Sequence, residues 1–426
     1  MRTTIKYSAM LVFVSFLLFS CMRTSKEGET SVKKISNTVV LEWDEIAYEA
    51  FGGTTYQHSL MASRINAMTH LAIHDAINAI EPVYASYIFN GKDADADPIA
   101  AAASAAYTVL VNELPGKKRF LDSALQKSLQ PIINPAARDK GIELGRQAGL
   151  TIVNARTHDG SGGDPFAPIP VSKAPGIYQA VPPFTIQFAP HWENVVLFGL
   201  QSKDQFRPAP PPALNTTVYT KAFDEVKSIG KLNSLSRSED QSSYAKFWYE
   251  FSEAGWNRIA RTVAKDKNLG LAETARLFAL VDMALADSYI AGWDAKLFYN
   301  FWRPYTAIRN AANDGNEATI ADDTWEPSEP TPPIHDYPST HSALGNAAAT
   351  VLARLLGDNT SFTFSSFTAS PPGGSRSFKS FSQAADENAS SRVMAGIHFR
   401  FSCDAGQALG NRIGDWLVNN KLKPLK

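Results

Sequence analysis

The chain is 426 residues long, 44% apolar and 19% charged, with a formal net charge of −1. That supplies a large core, in two or three average domains or one large helical one. A near-neutral balance argues against a nucleic-acid partner, whose binders carry a basic excess, so local clusters of cations are more informative than the total.

Met1, Arg2 and Lys6 give a basic start, and residues 9–19 form an apolar run too short to span a bilayer as a mature helix. The run ends Leu18-Phe19-Ser20-Cys21. Residues 1–20 therefore resemble a bacterial lipoprotein signal, with Cys21 as the lipidated cysteine; plain secretion and an uncleaved anchor are the alternatives. Residues 21–37 are polar and charged and read as a flexible tether. An exported protein held at an outer membrane or cell surface by a lipid anchor is the resulting expectation. With Cys21 lipidated, Cys403 is the remaining thiol, so an intrachain disulfide is excluded and a buried structural role is expected for it.

Helical periodicity dominates residues 38–426, which read as one domain. Long alanine-rich helices are predicted over 56–80, 98–114, 136–156 and 271–302, and shorter ones over 218–229, 238–251, 339–356, 378–396 and 405–419. No run of alternating β-branched residues with hairpin turns interrupts them, so the predicted class is all-α. Residues 158–214 and 313–337 are long irregular stretches rich in proline, and loops of that length in a compact protein are functional or wrapped over its surface. Tyr178, Phe184, Phe188 and Trp192 mark the first as packed. His70 and His74 have the i, i+4 spacing of a helical metal pair, but Leu71 stands where a zinc-protease motif needs glutamate, which favours a structural pair. The cluster Phe247-Trp248-Tyr249 with Trp256 reads as core or channel wall.

Three short segments in the last third carry chemistry. Lys296 and Arg303 are seven residues apart, so on one helix they point the same way, with Arg303 in the last turn before Pro304. Two cations on one face repel unless an anion lies between them; the bland alternative is a solvated basic face. Pro338-Ser339-Thr340-His341 has the form of a helix N-terminus, with Ser339 as N-cap, free backbone donors behind it and His341 in the first turn. In Ser391-Arg392-VMAGI-His398, six residues separate Arg392 from His398, so the chain must bend, with Gly396 as pivot. Arginine can clamp an oxyanion with two parallel N–H groups.

These residues resemble the signature Lys-x6-Arg-Pro, Pro-Ser-Gly-His, Ser-Arg-x5-His shared by vanadium-dependent haloperoxidases and PAP2-type acid phosphatases. Phe301-Trp302-Arg303-Pro304, the Tyr337-Pro338-Ser339 approach, Gly396-Ile397-His398-Phe399-Arg400-Phe401, Gln205-Phe206-Arg207-Pro208 and His74-Asp75-Ala76 favour the haloperoxidase branch. The resemblance implies a helical-bundle enzyme that holds vanadate. His398 would bond vanadium; Lys296, Arg303, Arg392, Ser339 and the Thr340 backbone would neutralise its oxygens; His341 would serve as acid–base group. Hydrogen peroxide would oxidise a halide to hypohalous acid, which halogenates a small organic acceptor. Two other readings share the pocket: a phosphatase in which His398 attacks phosphorus, and a lipoprotein that binds an anion without turnover. A homodimer is left open.

Two positions depart from the pattern. Thr340 replaces the motif glycine, and Ser402 stands where the family usually places an aspartate that orients the last histidine, with Asp404 as a candidate substitute. His335 and Asp336 are placed to line the pocket. Ile334, at the position the resemblance links to halide preference, points weakly to iodide.

Overall fold

The computed structural model describes residues 31–425, so the signal, Cys21 and the first part of the tether lie outside the described residues. Residues 31–37 are not a free tether. Val32 is buried, its N–H donates to Glu81 at 2.9 Å, and the carbonyl of Ile35 accepts from Leu271 N at 2.9 Å.

Thirteen α-helices carry the described fold, interrupted by two short hairpins. In chain order they are α1 (Thr38–Phe51), α2 (Ser59–Ile80), α3 (Pro98–Glu113), α4 (Lys118–Leu129), α5 (Pro135–Ala155), α6 (Thr217–Ile229), α7 (Glu239–Phe247), α8 (Ser252–Asp266), α9 (Leu271–Tyr299), α10 (Pro304–Arg309), α11 (Thr340–Leu356), α12 (Phe381–Met394) and α13 (Arg400–Asn420). The hairpins pair β1 (Phe166–Pro168) with β2 (Ile186–Phe188) and β3 (Phe362–Ser365) with β4 (Ser375–Phe378), both antiparallel. The all-α class holds. Among the described residues no helix is long and apolar enough to cross a membrane.

The helix starts follow from capping chemistry. Asp97 and Asn134 cap α3 and α5 with Pro98 and Pro135 in the first helical position. Ser238 and Gln241 form a reciprocal capping box on α7. Four helices escaped the sequence pattern: α1, α4, α8 and the six-residue α10. Helix α4 buries only Leu121, while α1 and α8 mix core positions with charges such as Asp44 and Glu253 that turn out to be buried. The hairpin strands span three or four residues each, too short for alternation to register.

Helix α9 is the axis of the molecule. It is buried from Leu271 to Lys296 apart from Glu273 and Arg276, and it packs on α2, α11 and α13. Helix α13 lies unusually close to α11 because Gly406, Gly410 and Gly414 repeat every four residues on the face it presents. A Cβ at Gly406 would stand 2.2 Å from the carbonyl oxygen of Ser339, and one at Gly410 2.1 Å from that of Ala343. The same device joins α5 to α3, where Gly141, Gly145 and Gly149 face Asp97, Ala101 and Ala105. Close backbone contact of this kind fixes helix spacing with little freedom.

The long stretch 158–214 is ordered. It carries β1 and β2, and it lays Ile177 antiparallel to Phe301, with Tyr178 N donating to Asn300 O at 2.9 Å and Trp302 N donating to Gly176 O at 3.0 Å. Further on, Arg207 makes a two-pronged contact to Asp294 at 2.8 Å on each arm. The loop therefore braces the segment between Lys296 and Arg303.

Candidate active site

The predicted helix over 271–302 ends early. Asn300 adopts a left-handed conformation (φ 48°) that closes α9, and Arg303 is extended (φ −82°, ψ 157°) at the start of α10. This is the backbone that a residue before proline prefers. Lys296 and Arg303 thus do not share a helical face; they converge because the chain turns between them. Lys296 Nζ donates to the carbonyls of His335 (2.7 Å) and Asp336 (3.0 Å), and Arg303 Nε donates to that of Ile334 (2.7 Å). Both cations are fully buried and grip one stretch, 334–336, from the same side.

Ser339 is the N-cap of α11, as predicted; its Oγ accepts from Ser342 N and Ser342 Oγ. Its own N–H donates to Ser402 O at 2.8 Å, a backbone link between the starts of α11 and α13 permitted by the glycine seam. The Thr340 and His341 amides open the helix, where an α-helix leaves its first donors unpaired. Thr340 is accommodated by a second glycine: a Cβ on Gly292 of α9 would sit 2.9 Å from Thr340 Cγ2. The methyl that replaces the motif glycine packs away on α9.

His341 and Arg392 meet at one acceptor, the carbonyl of Trp248, at 2.8 Å from His341 Nε2 and 3.0 Å from Arg392 Nη1. A carbonyl only accepts, so Nε2 carries the proton and Nδ1 keeps the lone pair. Gly396 bends the chain with φ +78°, as expected, and brings His398 back toward Arg303. Arg303 Nη1 donates to Ile397 O at 2.7 Å and to His398 Nε2 at 3.0 Å. His398 Nδ1 lies 2.9 Å from Asp336 Oδ1, yet the ring is turned so that neither atom has a hydrogen bond. Ser402 Oγ donates to the other oxygen, Asp336 Oδ2. Asp404 is exposed and does not take the part suggested for it.

Electrostatics follow from this packing. Burial, then the neighbouring Arg303 charge, holds Lys296 well below its ordinary pKa. Burial lowers Arg392 to about 10. Burial and the flanking cations, Arg303 foremost, keep His398 neutral far below its usual range, and burial with Arg392 does the same to His341. Burial raises Asp336 to about 6 against the pull of Arg303. Arg303 and Lys296 therefore face one carboxylate, Asp336, with Arg392 as a third basic group acting on His398, an imbalance that an oxyanion relieves.

Two sequence expectations concern bystanders. His70 turns to Asp44 (3.2 Å) and His74 to Ala85 O (3.1 Å), so they do not form a metal pair. Cys403 is buried, and burial raises its thiol to about 12, which makes it inert. The Phe247–Trp256 cluster is core whose Trp248 carbonyl and Tyr249 ring, 5.4 Å from the Arg392 guanidinium, wall the site. That contribution was hidden in the sequence because a backbone carbonyl leaves no residue signature.

Comparison with known proteins bears on the same region. The VCPO second helical-bundle domain matches residues 276–425, which contain every site residue named above except the Trp248 and Tyr249 wall. A crystallised bacterial vanadium-dependent iodoperoxidase is 29% identical with a TM-score of 0.78, over 92% of this chain and 98% of that one. Over nearly its whole length the chain is similar to a vanadium-dependent haloperoxidase. The vanadium chloroperoxidase of Curvularia inaequalis is 28% identical over 205 residues, which is 40% of this chain and 33% of that protein's length. A bacterial vanadium-dependent chloroperoxidase in holo form shares the fold at 16% identity and a TM-score of 0.66, covering 91% of this chain and 93% of that one.

The residues present fit the family's vanadate. Arg392 Nε is a buried cationic donor without a hydrogen-bond partner in the protein. Lys296, Arg303, Arg392, Ser339 and the first amides of α11 offer donors of the kind that hold an oxyanion, and His398 offers a neutral imidazole to its central atom.

Proposed function

We propose that this haloperoxidase oxidises a halide with hydrogen peroxide, yielding hypohalous acid and water as one proton is consumed. The observation that carries the reading is the convergence of three buried basic side chains and His341, in the first turn of α11, on His398. When bound, vanadate supplies a redox-inert Lewis acid that polarises the peroxide O–O bond.

The protein's own part is electrostatic and acid–base. Lys296, Arg303 and Arg392 are fixed before any ligand arrives, because each already donates to backbone carbonyls that cannot move far. His341, protonated at Nε2 by its bond to Trp248 O, presents Nδ1 as the base that takes a proton from hydrogen peroxide and returns it to the leaving oxygen. His398 stays neutral and keeps Nε2 as the donor atom, the role assigned to it as vanadium ligand. The aromatic wall of Trp248 and Tyr249 limits water.

Iodide is the halide we assign, on the identity to the bacterial iodoperoxidase and on an aliphatic Ile334, whose carbonyl is anchored by Arg303. A small organic acceptor takes up the hypohalous acid. Export as a lipoprotein through Cys21 is part of the same proposal, and it rests on the N-terminal sequence alone.

The test is a side-by-side assay of the purified full chain for iodide and bromide oxidation, with and without orthovanadate, alongside hydrolysis of a generic phosphomonoester. Vanadate-dependent iodide oxidation supports the reading. Vanadate-independent hydrolysis without halide oxidation refutes it in favour of a phosphatase. Incorporation of a palmitate analogue that disappears in Cys21→Ser tests the anchor.

A further inference from the structure

We infer that Asp336 is the positioning residue for His398, and that it takes this part jointly with Ser402, which clamps it from behind. The inference rests on the haloperoxidase reading for the identity of the ligand, but its geometry stands alone.

Asp336 is fully buried, and besides the Arg303 guanidinium 3.9 Å from Oδ1, each of its oxygens has a side-chain neighbour. Oδ2 receives the hydroxyl proton of Ser402, while Oδ1 stands 2.9 Å from His398 Nδ1. The backbone holds the carboxylate in place from both ends. Asp336 N donates to Phe301 O at 3.0 Å, and its own carbonyl is gripped by Lys296 at 3.0 Å. The other face of the imidazole is occupied by a guanidinium, since Arg303 Nη1 donates to Nε2 at 3.0 Å. A guanidinium has no lone pair to offer, so Nε2 must be the acceptor nitrogen and Nδ1 the protonated one. The proton on Nδ1 thus lies beside a carboxylate, the arrangement that fixes an imidazole tautomer and raises the basicity of its far nitrogen. Ser402 holds the carboxylate in this position through its other oxygen.

The alternative source on α13, Asp404, is exposed, and Ser402 has no charge to give. Because Ser402 already touches the carboxylate, a carboxylate grown from position 402 would enter the space that Asp336 fills. This makes the two positions exchangeable.

The exchange is the experiment. Full-length wild type, Asp336→Ser, Ser402→Ala and the double swap Asp336→Ser/Ser402→Asp are compared after urea unfolding has shown each to be folded. Two readouts are taken: the 15N shifts of the His398 ring at neutral pH without vanadate, assigned against His398→Gln, and the affinity for orthovanadate by calorimetry. Wild type should show a single form protonated at Nδ1. Asp336→Ser should keep that tautomer, since Arg303 remains, but move the Nδ1 resonance as its N–H loses the carboxylate, and weaken vanadate by about 10–100-fold. Ser402→Ala, which frees the carboxylate without removing it, should cost several-fold. The double swap should return the wild-type Nδ1 resonance and most of the affinity. An unchanged ring spectrum in Asp336→Ser, or a double swap no better than that single variant, overturns the inference. If wild type does not bind vanadate at all, the haloperoxidase reading fails, while the ring spectra still decide the role of Asp336.

Discussion

Replacing Arg303 by lysine keeps the charge and removes the fork, which separates two roles that alanine would confuse. The guanidinium makes three contacts from a position 1% exposed: Ile334 O and Ile397 O at 2.7 Å each, and His398 Nε2 at 3.0 Å. A lysine ammonium is a single point that cannot reach carbonyls on two different segments in the same geometry. One buried carbonyl is left without a donor, a loss of about 1–3 kcal/mol. That is less than the roughly 3–5 kcal/mol expected when a buried charge pair is broken, because the cation near Asp336 survives. Affinity for vanadate should fall by one charge-assisted hydrogen bond, about 1.5–3 kcal/mol, or roughly 10- to 150-fold. Urea unfolding of the full chain reports the first quantity and calorimetric titration with orthovanadate the second. A variant with wild-type affinity would show that Arg303 acts as a point charge and that the fork is incidental.

Four further outcomes follow from the same structure. Ser339→Ala removes the cap of α11 and should cost about 1 kcal/mol of stability by urea midpoint, with a larger loss of halide oxidation than of fold. Gly410→Leu forces a side chain into the carbonyl of Ala343; overpacking of this kind costs about 1–3 kcal/mol or more, and soluble yield and thermal melting should both drop. Glu253 is fully buried between Tyr56 and Tyr289, and burial raises its carboxyl to about 7. The folded state keeps a proton that the unfolded chain releases, so wild type loses stability as pH rises from the usual carboxyl range through about 7. Glu253→Gln should therefore gain relative to wild type between pH 5 and 8 in urea titrations, and a constant difference would count against the shift. Orthovanadate at 100 times its dissociation constant should stabilise the protein by about 2.7 kcal/mol, seen as a melting shift that His398→Ala abolishes.

The site was legible in the sequence to the extent that its groups are side chains with local grammar. Ser339 announced a cap and Gly396 a bend. The error over 271–302 came from reading Lys296 and Arg303 by helical angle alone, when Asn300 could accept a left-handed turn that a pattern of apolar residues does not reveal. Asp336 was placed near the pocket but its partnership with His398 was not, because 62 residues separate them and the link depends on how α13 docks. The Trp248 carbonyl was invisible for a different reason: it is backbone. Helices with broad apolar faces such as α9 stood out, and α4, which buries one leucine, did not.

The glycine seam between α11 and α13 gives the site a tolerance its motif letters do not suggest. Because Gly406 lets Ser339 N reach Ser402 O, the distance between the two ends of the pocket is a property of main chain and not of any side chain. Residues on the inner surface can then be exchanged without reshaping the cradle: threonine for glycine at 340, relieved by Gly292, and serine at 402 with the acid moved to 336. A side chain at Gly406 or Gly410 would change that spacing directly, because each would meet a main-chain oxygen of α11 or its cap.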